Sequence, residues 1–398
     1  MGFFLSLKTD LLLNHSKSCI ILIAFKAPKR GFLFAIMMHK TMDVIEKLKA
    51  YKERVDPLLK TYFQQKIKQA KKSDWLAVEA VETIADFTLA GGKRIRPALV
   101  YYGYLAAGGQ DCQKIVEAST GIELVHSFLL IHDDIIDRDS MRHGVATVHE
   151  RYEKIGRRIN PKGGALHFGN SMAMLAGDMA AAMANEIIFN SRFAPETIIR
   201  ALDKLQQIVY TIVPGEMLDV VMEMRQKSSE EEVLRMYEGK TSSYSFEGPL
   251  HLGAILSGKN KEPMLKNFSA YSMPIGKAFQ IRDDVIGLFG KEKKLGKPIG
   301  SDVIEGKQTI LLVKALERCN RKQGATLHKY LGKKDLNEKE LEEFREVIRA
   351  TGSLEYSQKL SRDLVAEAKA ALDRIEFKNT EAREFLAGLA DYIIVREV

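Results

Sequence analysis

The chain has 398 residues, 45% of them hydrophobic and 28% charged, which excludes disorder as the default and leaves room for one large domain or two medium ones. Its formal net charge is +8, but the first forty-one residues carry +5 of it through Lys8, Lys17, Lys26, Lys29, Arg30 and Lys40 against Asp10. The remaining +3 is too small to mark a nucleic-acid-binding surface. Three scattered cysteines, Cys19, Cys112 and Cys319, indicate neither a disulfide framework nor a zinc site, and fit a reducing, cytoplasmic compartment.

At the start, the apolar run from Cys19 to Phe25 is too short to span a bilayer, so no stable membrane insertion is expected. The basic, acid-poor stretch around it has the composition of a transit peptide or a poor signal sequence, yet no small-residue cleavage pattern closes it. Residues 1–41 are therefore read as an extension, disordered or upstream of a true start at Met38 or Met42, and residues 42–398 as the folded domain.

From Met42 onward leucine, isoleucine and alanine recur at three- and four-residue intervals, the pattern of successive helices. Pro57, Pro97, Pro161, Pro214, Pro249, Pro274 and Pro298 are expected where helices begin or end, and Gly91-Gly92, Gly108-Gly109, the Gly156 to Gly164 stretch and Gly290 to Gly300 supply further punctuation. The fold class that follows is all-α: one domain of ten or more helices bundled around a central apolar cavity. The last eighty residues, rich in Glu and Lys, read as a solvent-facing layer without chemistry.

Two segments carry the chemistry. Glu123 to Asp137 is an apolar helix ending in Asp133, Asp134 and Asp137, with Asp133 and Asp137 on one helical face. Acid at a helix C-terminus is opposed by the macrodipole, so the cluster asks for a bound cation. Gly276 to Asp284 repeats the pattern, again apolar and again closing on paired aspartates, Asp283 and Asp284. Two carboxylate clusters facing across a cavity suit Mg²⁺, which takes few protein ligands and completes its octahedron with water and phosphate oxygens. The implied ligand is a diphosphate, to be met from other directions by Lys93, Arg94, Arg96, Arg142, Lys240, Lys297 and Lys307.

From about Ala85 to Gln308 the sequence resembles the trans-isoprenyl diphosphate synthase family, nearest its archaeal-type short-chain geranylgeranyl members. Gly91 to Pro97 resembles the isopentenyl-diphosphate motif, Asp133 to Asp137 the first aspartate-rich motif and Gln280 to Asp284 the core of the second. Gly177-Asp178, Gly215 to Asp219, Lys240-Thr241 and Gly296 to Asp302 follow in the expected order.

By that resemblance Lys93, Arg96 and His126 would hold isopentenyl diphosphate. Asp133 and Asp137, with Asp134 beside them, would bind two Mg²⁺ ions, and Asp283 a third with help from Asp284 and Asp302. Arg142, His143, Lys240, Thr241, Gln280, Lys297 and Lys307 would hold the allylic diphosphate, and Asp133, Asp137, Arg142, Lys240 and Asp283 would carry catalysis. A homodimer is also implied. Two departures stand out: His143 replaces the second arginine after the first acidic motif, a contact titratable near neutral pH, and Gly287 replaces the third aspartate of the second.

The reaction so implied is head-to-tail joining of isopentenyl diphosphate to an allylic diphosphate. Phe128, about 7.5 Å below Asp133 at ~1.5 Å per residue, would act as a floor to the growing chain, with Leu129 and Val125 beside it. A single aromatic floor implies a C20 product, with C15 as the nearest rival. A terpene cyclase would share the helices but not need Gly92 to Arg96, and a non-catalytic partner subunit would be expected to lose metal ligands more widely.

Overall fold

The computed structural model of the chain describes residues 29–259, 262–290 and 300–396, with side chains from Thr41 onward. Helix α1 (Lys29–Ala70) leads into α2 (Trp75–Leu89) and α3 (Ile95–Ala106), then the acid-tipped α4 (Gln113–Asp137). After α5 (Val148–Ile159) come the long α6 (Ala165–Phe189) and α7 (Pro195–Arg225), and α8 (Glu230–Tyr237) continues into a π-helical stretch, Glu238–Glu247. The second half holds α9 (Gly248–Leu256), α10 (Glu262–Phe289), α11 (Ser301–Glu305), α12 (Ile310–Arg318), α13 (Arg321–Tyr330), α14 (Glu338–Ala350), α15 (Ser353–Leu372) and α16 (Thr380–Val395).

The all-α expectation holds, with one two-residue hairpin, Met141–Arg142 against Val145–Ala146, among the described residues. α4 packs on α6, α10 on α15, α9 on α3 and α7 on the π-helical stretch, and the apolar faces of α1 to α7, α9, α10, α15 and α16 merge into one core, with α8 in a separate small cluster. A smaller cluster joins the end of α10, through Val285 and Leu288, to α12, α13 and α14.

Helix α1 runs from Lys29 on through Met42. Two expectations about boundaries change. Pro57, Pro214 and Pro274 lie within helices α1, α7 and α10 and not at their ends. The burial of proline-interrupted turns against the core holds those helices together where local propensity would end them. Nor does α10 close on its aspartates: it runs on to Phe289 because Val285, Ile286 and Leu288 are buried.

Elsewhere local signals decide. Ser229 with Glu232, Asn320 with Gln323 and Asn337 with Glu340 form reciprocal caps that start α8, α13 and α14. Gly215 in α7 faces the π-helical stretch so closely that a Cβ there would lie 2.5 Å from the Lys240 nitrogen and 2.6 Å from the Gly239 carbonyl carbon. Only glycine permits this backbone contact, and it sets Lys240 against the acidic face of α7.

Candidate active site

α4, α7, the π-helical stretch and α10 enclose a cavity of about 660 Å³. Asp133 and Asp137 reach it from the end of α4, Glu216 and Asp219 from α7, and Asp283 and Asp284 from α10, so the two acidic motifs do face one space. Asp134, 0% exposed, does not line it. One residue turns a helix by about 100°, which aims Asp134 away from the face shared by Asp133 and Asp137. It accepts from Arg142 Nε at 2.5 Å, while Arg142 Nη2 donates to Asp133 at 3.2 Å and Asp139 at 3.3 Å.

Arg142 gets there through the hairpin. His143 and Gly144 both take positive φ, 51° and 78°, in its turn, the left-handed pair that a tight two-residue connection requires. His143 lines the cavity too. Burial, with Arg142, Arg94 and Lys52 nearby, holds its imidazole below the ordinary value, so it is neutral where the sequence promised titration near pH 7.

Two lysines lie among the carboxylates. Lys240 contacts Asp219 at 2.8 Å, Glu216 at 2.9 Å and Asp133 at 3.3 Å. Lys307 donates to Asp137 at 2.6 Å and Asp219 at 3.1 Å. Burial alone would depress Lys240, but Asp133, Asp219, Glu216 and Asp137 overcome it and hold the ammonium well above its ordinary value. Burial also pushes Glu216 up to about 7 and Asp284 to about 8, the latter against hydrogen bonds from Tyr237 and from Gln280 Nε2 at 3.0 Å. Thr241 donates to Gln280 Oε1 at 2.6 Å, so Thr241, Gln280 and Asp284 form one chain.

The donor set fits a hard divalent cation. Oxygens of Asp133, Asp137 and Glu216 lie within 4.8 Å of one another, a carboxylate cluster of the kind such ions take. Their charge is otherwise met by Lys240, Lys307 and Arg142, and burial with Asp133 pushes Asp137 up despite the lysines.

Arg96 and His126 also line the cavity and share Tyr244. Arg96 Nη2 donates to the Tyr244 hydroxyl at 2.6 Å and to Ser245 Oγ at 2.7 Å, and that hydroxyl meets His126 Nδ1 at 2.9 Å. Burial first, then Arg96 and Arg142, keeps His126 well below the ordinary value. With its oxygen accepting from Arg96, Tyr244 donates to Nδ1, which leaves the neutral ring's Nε2–H for a ligand.

Lys93 is exposed beside Tyr392 of α16, 5.5 Å from its ring centroid, and does not line the cavity. Arg94 turns inward to Asp56 at 2.8 Å and Glu123 at 2.6 Å, a structural anchor for this loop.

Phe128 and Leu129 line the lower cavity, whereas Val125 is 2% exposed within the core and does not. Asp302 lines the upper end, and one of its carboxylate oxygens lies 3.2 Å from where a Cβ on Gly287 would stand, so Asp302 fills the space the missing side chain leaves. Lys297 lies outside the described residues.

Sequence reasoning missed several participants. Glu216 and Asp219, three apart on α7, carried an available one-face signal. Tyr237, Tyr244 and the π-helical geometry around Lys240 carried none. The C-terminal layer is also not inert, since Arg396 pairs with Asp283.

The Polyprenyl synthetase family profile matches residues 78–348. A geranylgeranyl pyrophosphate synthase of Geoglobus acetivorans is 37% identical over 77% of this chain and 88% of its own length. A short chain isoprenyl diphosphate synthase of Methanothermobacter thermautotrophicus is 34% identical over 89% and 99%. Among solved structures, geranylgeranyl pyrophosphate synthase from Corynebacterium glutamicum, complexed with isoprenyl diphosphate and magnesium, superposes with a TM-score of 0.83 at 32% identity, covering 88% of this chain and 99% of that one. The chain belongs to the polyprenyl synthetase family. It is an enzyme that transfers prenyl groups.

Proposed function

We propose that the chain is a trans-prenyltransferase that joins isopentenyl diphosphate head-to-tail to allylic diphosphates and delivers geranylgeranyl diphosphate. The observation that carries this reading is one cavity with opposed acidic motifs, the partly buried Lys240 and the buried Lys307 at one end and Phe128 at the other. Diphosphate belongs at the first end and hydrocarbon at the second.

Asp133, Asp137 and Asp283, with Asp284 and Asp302, would hold Mg²⁺, three ions in this reading, and Glu216 adds a carboxylate to the first cluster. When bound, the ions add positive charge that favours the leaving diphosphate, a term of several kcal/mol. Arg142, Lys240 and Lys307 grip the allylic diphosphate, Lys297 being assigned with them. Arg96 and the Nε2–H of His126 take isopentenyl diphosphate, and Lys93 meets it from the rim. The allylic carbon–oxygen bond breaks, the isopentenyl double bond forms the new carbon–carbon bond, and the proton then lost goes to the released diphosphate. No side-chain base is required. Thr241, Gln280 and the π-helical carbonyls face the allylic charge, and apolar walls exclude water from it.

The unit is assigned as residues 42–398 acting as a homodimer, supported by exposed apolar side chains on α6 and α7: Leu175, Tyr210, Met217 and Met224 are 62%, 82%, 62% and 86% exposed. The assigned compartment is the cytoplasm. Among the described residues two helices, Gln113–Asp137 and Ala165–Phe189, are long and apolar enough to cross a membrane, but the first has 67% of its apolar window buried in the bundle and ends in the acidic motif.

The test is purified protein with Mg²⁺, isopentenyl diphosphate and allylic primers of two lengths. Turnover to a C20 product is expected, and Asp133→Ala or Asp137→Ala should lower it by about a hundredfold or more. Wild-type rates in those variants overturn the reading; no turnover with either primer favours a partner-subunit role.

A further inference from the structure

On α4, His132 stands between two groups whose functions differ: Asp133 of the acidic motif follows it, and Phe128 precedes it by one turn. Its ring meets the Phe128 ring edge-on, centroids 5.0 Å apart at 80°. Both side chains line the cavity. Its Nε2 lies 3.0 Å from the Met174 carbonyl of α6, which makes Nε2 the protonated nitrogen, since a carbonyl oxygen only accepts. The seat exists because residue 177 is glycine: a Cβ there would stand 2.3 Å from Nε2 and 2.4 Å from Cδ2.

We propose that His132 is a positioning residue for product length, tethered to α6 through Met174 and bracing the Phe128 ring across the floor of the cavity. This deepens the proposed function and rests on Phe128 being the floor.

The physical reason is the freedom a lone Phe128 would have. Phe128 is only partly buried, and packs against the core on one side while the cavity lies on the other. A hydrocarbon tail pressing down could rotate it toward another staggered position. His132, fixed by a hydrogen bond to a different helix, opposes that rotation through the edge-to-face contact. Gly177 thereby matters to specificity without touching the floor, because any side chain would force the imidazole off Met174.

The experiment measures the C25 to C20 product ratio by chromatography, with excess isopentenyl diphosphate and a dimethylallyl primer, in folded Phe128→Ala, His132→Ala, Gly177→Ala and the Phe128→Ala/His132→Ala double variant. His132→Ala is expected to raise the ratio about threefold to tenfold, the range an edge-to-face aromatic pair is worth. Gly177→Ala should shift it the same way with His132 still present, which covers the case in which His132→Ala does not fold. On the Phe128→Ala background His132→Ala should add little, as coupled residues do. If Phe128→Ala lengthens the product while His132→Ala and Gly177→Ala leave it unchanged, the brace is overturned and the floor stands. An effect of His132→Ala undiminished without Phe128 also overturns the brace. If Phe128→Ala itself changes nothing, the floor reading fails and takes the brace with it.

Discussion

The Arg396 guanidinium is paired with the Asp283 carboxylate, tying the end of α16 to the acidic turn of α10 across 113 residues of sequence. The tie is anchored on both sides: the Arg396 carbonyl accepts from Arg282 Nε at 2.9 Å and Nη2 at 2.7 Å, and its guanidinium lies 3.7 Å from the Phe279 ring centroid. Its Nε is buried with no hydrogen-bond partner among the described residues. Arg396 thus occupies with positive charge one of the carboxylates assigned to Mg²⁺, and the two cations compete for it.

Arg396→Ala should therefore lower the Mg²⁺ concentration giving half-maximal turnover. Asp283 is 42% exposed, and partly exposed ion pairs are worth about 0.2–1 kcal/mol, so the shift should be about fivefold at most. A Mg²⁺ titration at saturating substrates measures it, and an unmoved midpoint would mean the two do not compete.

Tyr244 is the sole contact in the described residues joining Arg96 to His126. Tyr244→Phe removes that hydroxyl while keeping the ring over Arg96. One hydrogen bond of this type contributes about 0.5–1.5 kcal/mol, so KM for isopentenyl diphosphate should rise about twofold to tenfold, with KM for the allylic primer little changed. Steady-state kinetics with each substrate varied separately would show an equal rise in both if Tyr244 served another role.

Arg94, 3% exposed, takes left-handed backbone angles and holds the buried Glu123 and the partly exposed Asp56. Removing one partner of a buried pair strands the other, at a cost of about 3–5 kcal/mol. Arg94→Ala should show that loss in denaturant unfolding, and a midpoint equal to wild type would place the anchor elsewhere.

The pH dependence of stability has a definite sign. Burial raises Asp284 to about 8, Glu216 to about 7 and Asp134 to about 7 in the folded protein, against about 4 in an unfolded chain. The folded state then holds more protons, so these groups make stability fall as pH rises toward 8. His126, His143 and His251, held low by burial, act in the opposite sense, but only below about pH 6.5. Without metal, the melting temperature should decline between about pH 6.5 and 8.5. Mg²⁺ with inorganic diphosphate should flatten that decline, and a rising metal-free curve over the same window would contradict the assignment.

Helix periodicity and the two acidic stretches were legible in the sequence because both are local: apolar spacing sets which face of a helix is buried, and residues four apart share that face. Asp133, Asp137, Asp283, Lys240 and Lys307 were legible for the same reason, each standing in a short recognisable stretch. What tertiary packing decided was orientation and company. Asp134 and Arg94 lie in the same motifs as their neighbours but turn inward, since one step along a helix or a left-handed turn redirects a side chain completely. Glu216, Tyr244, His132 and Arg396 acquire partners from segments 24 to 118 residues away, where no local spacing can foretell the meeting. Their positions follow from backbone contact at Gly215 and the approach of the His132 ring to Gly177, from the wide π-helical turn, and from the return of α16 to α10, all of which come into being only when the chain is folded.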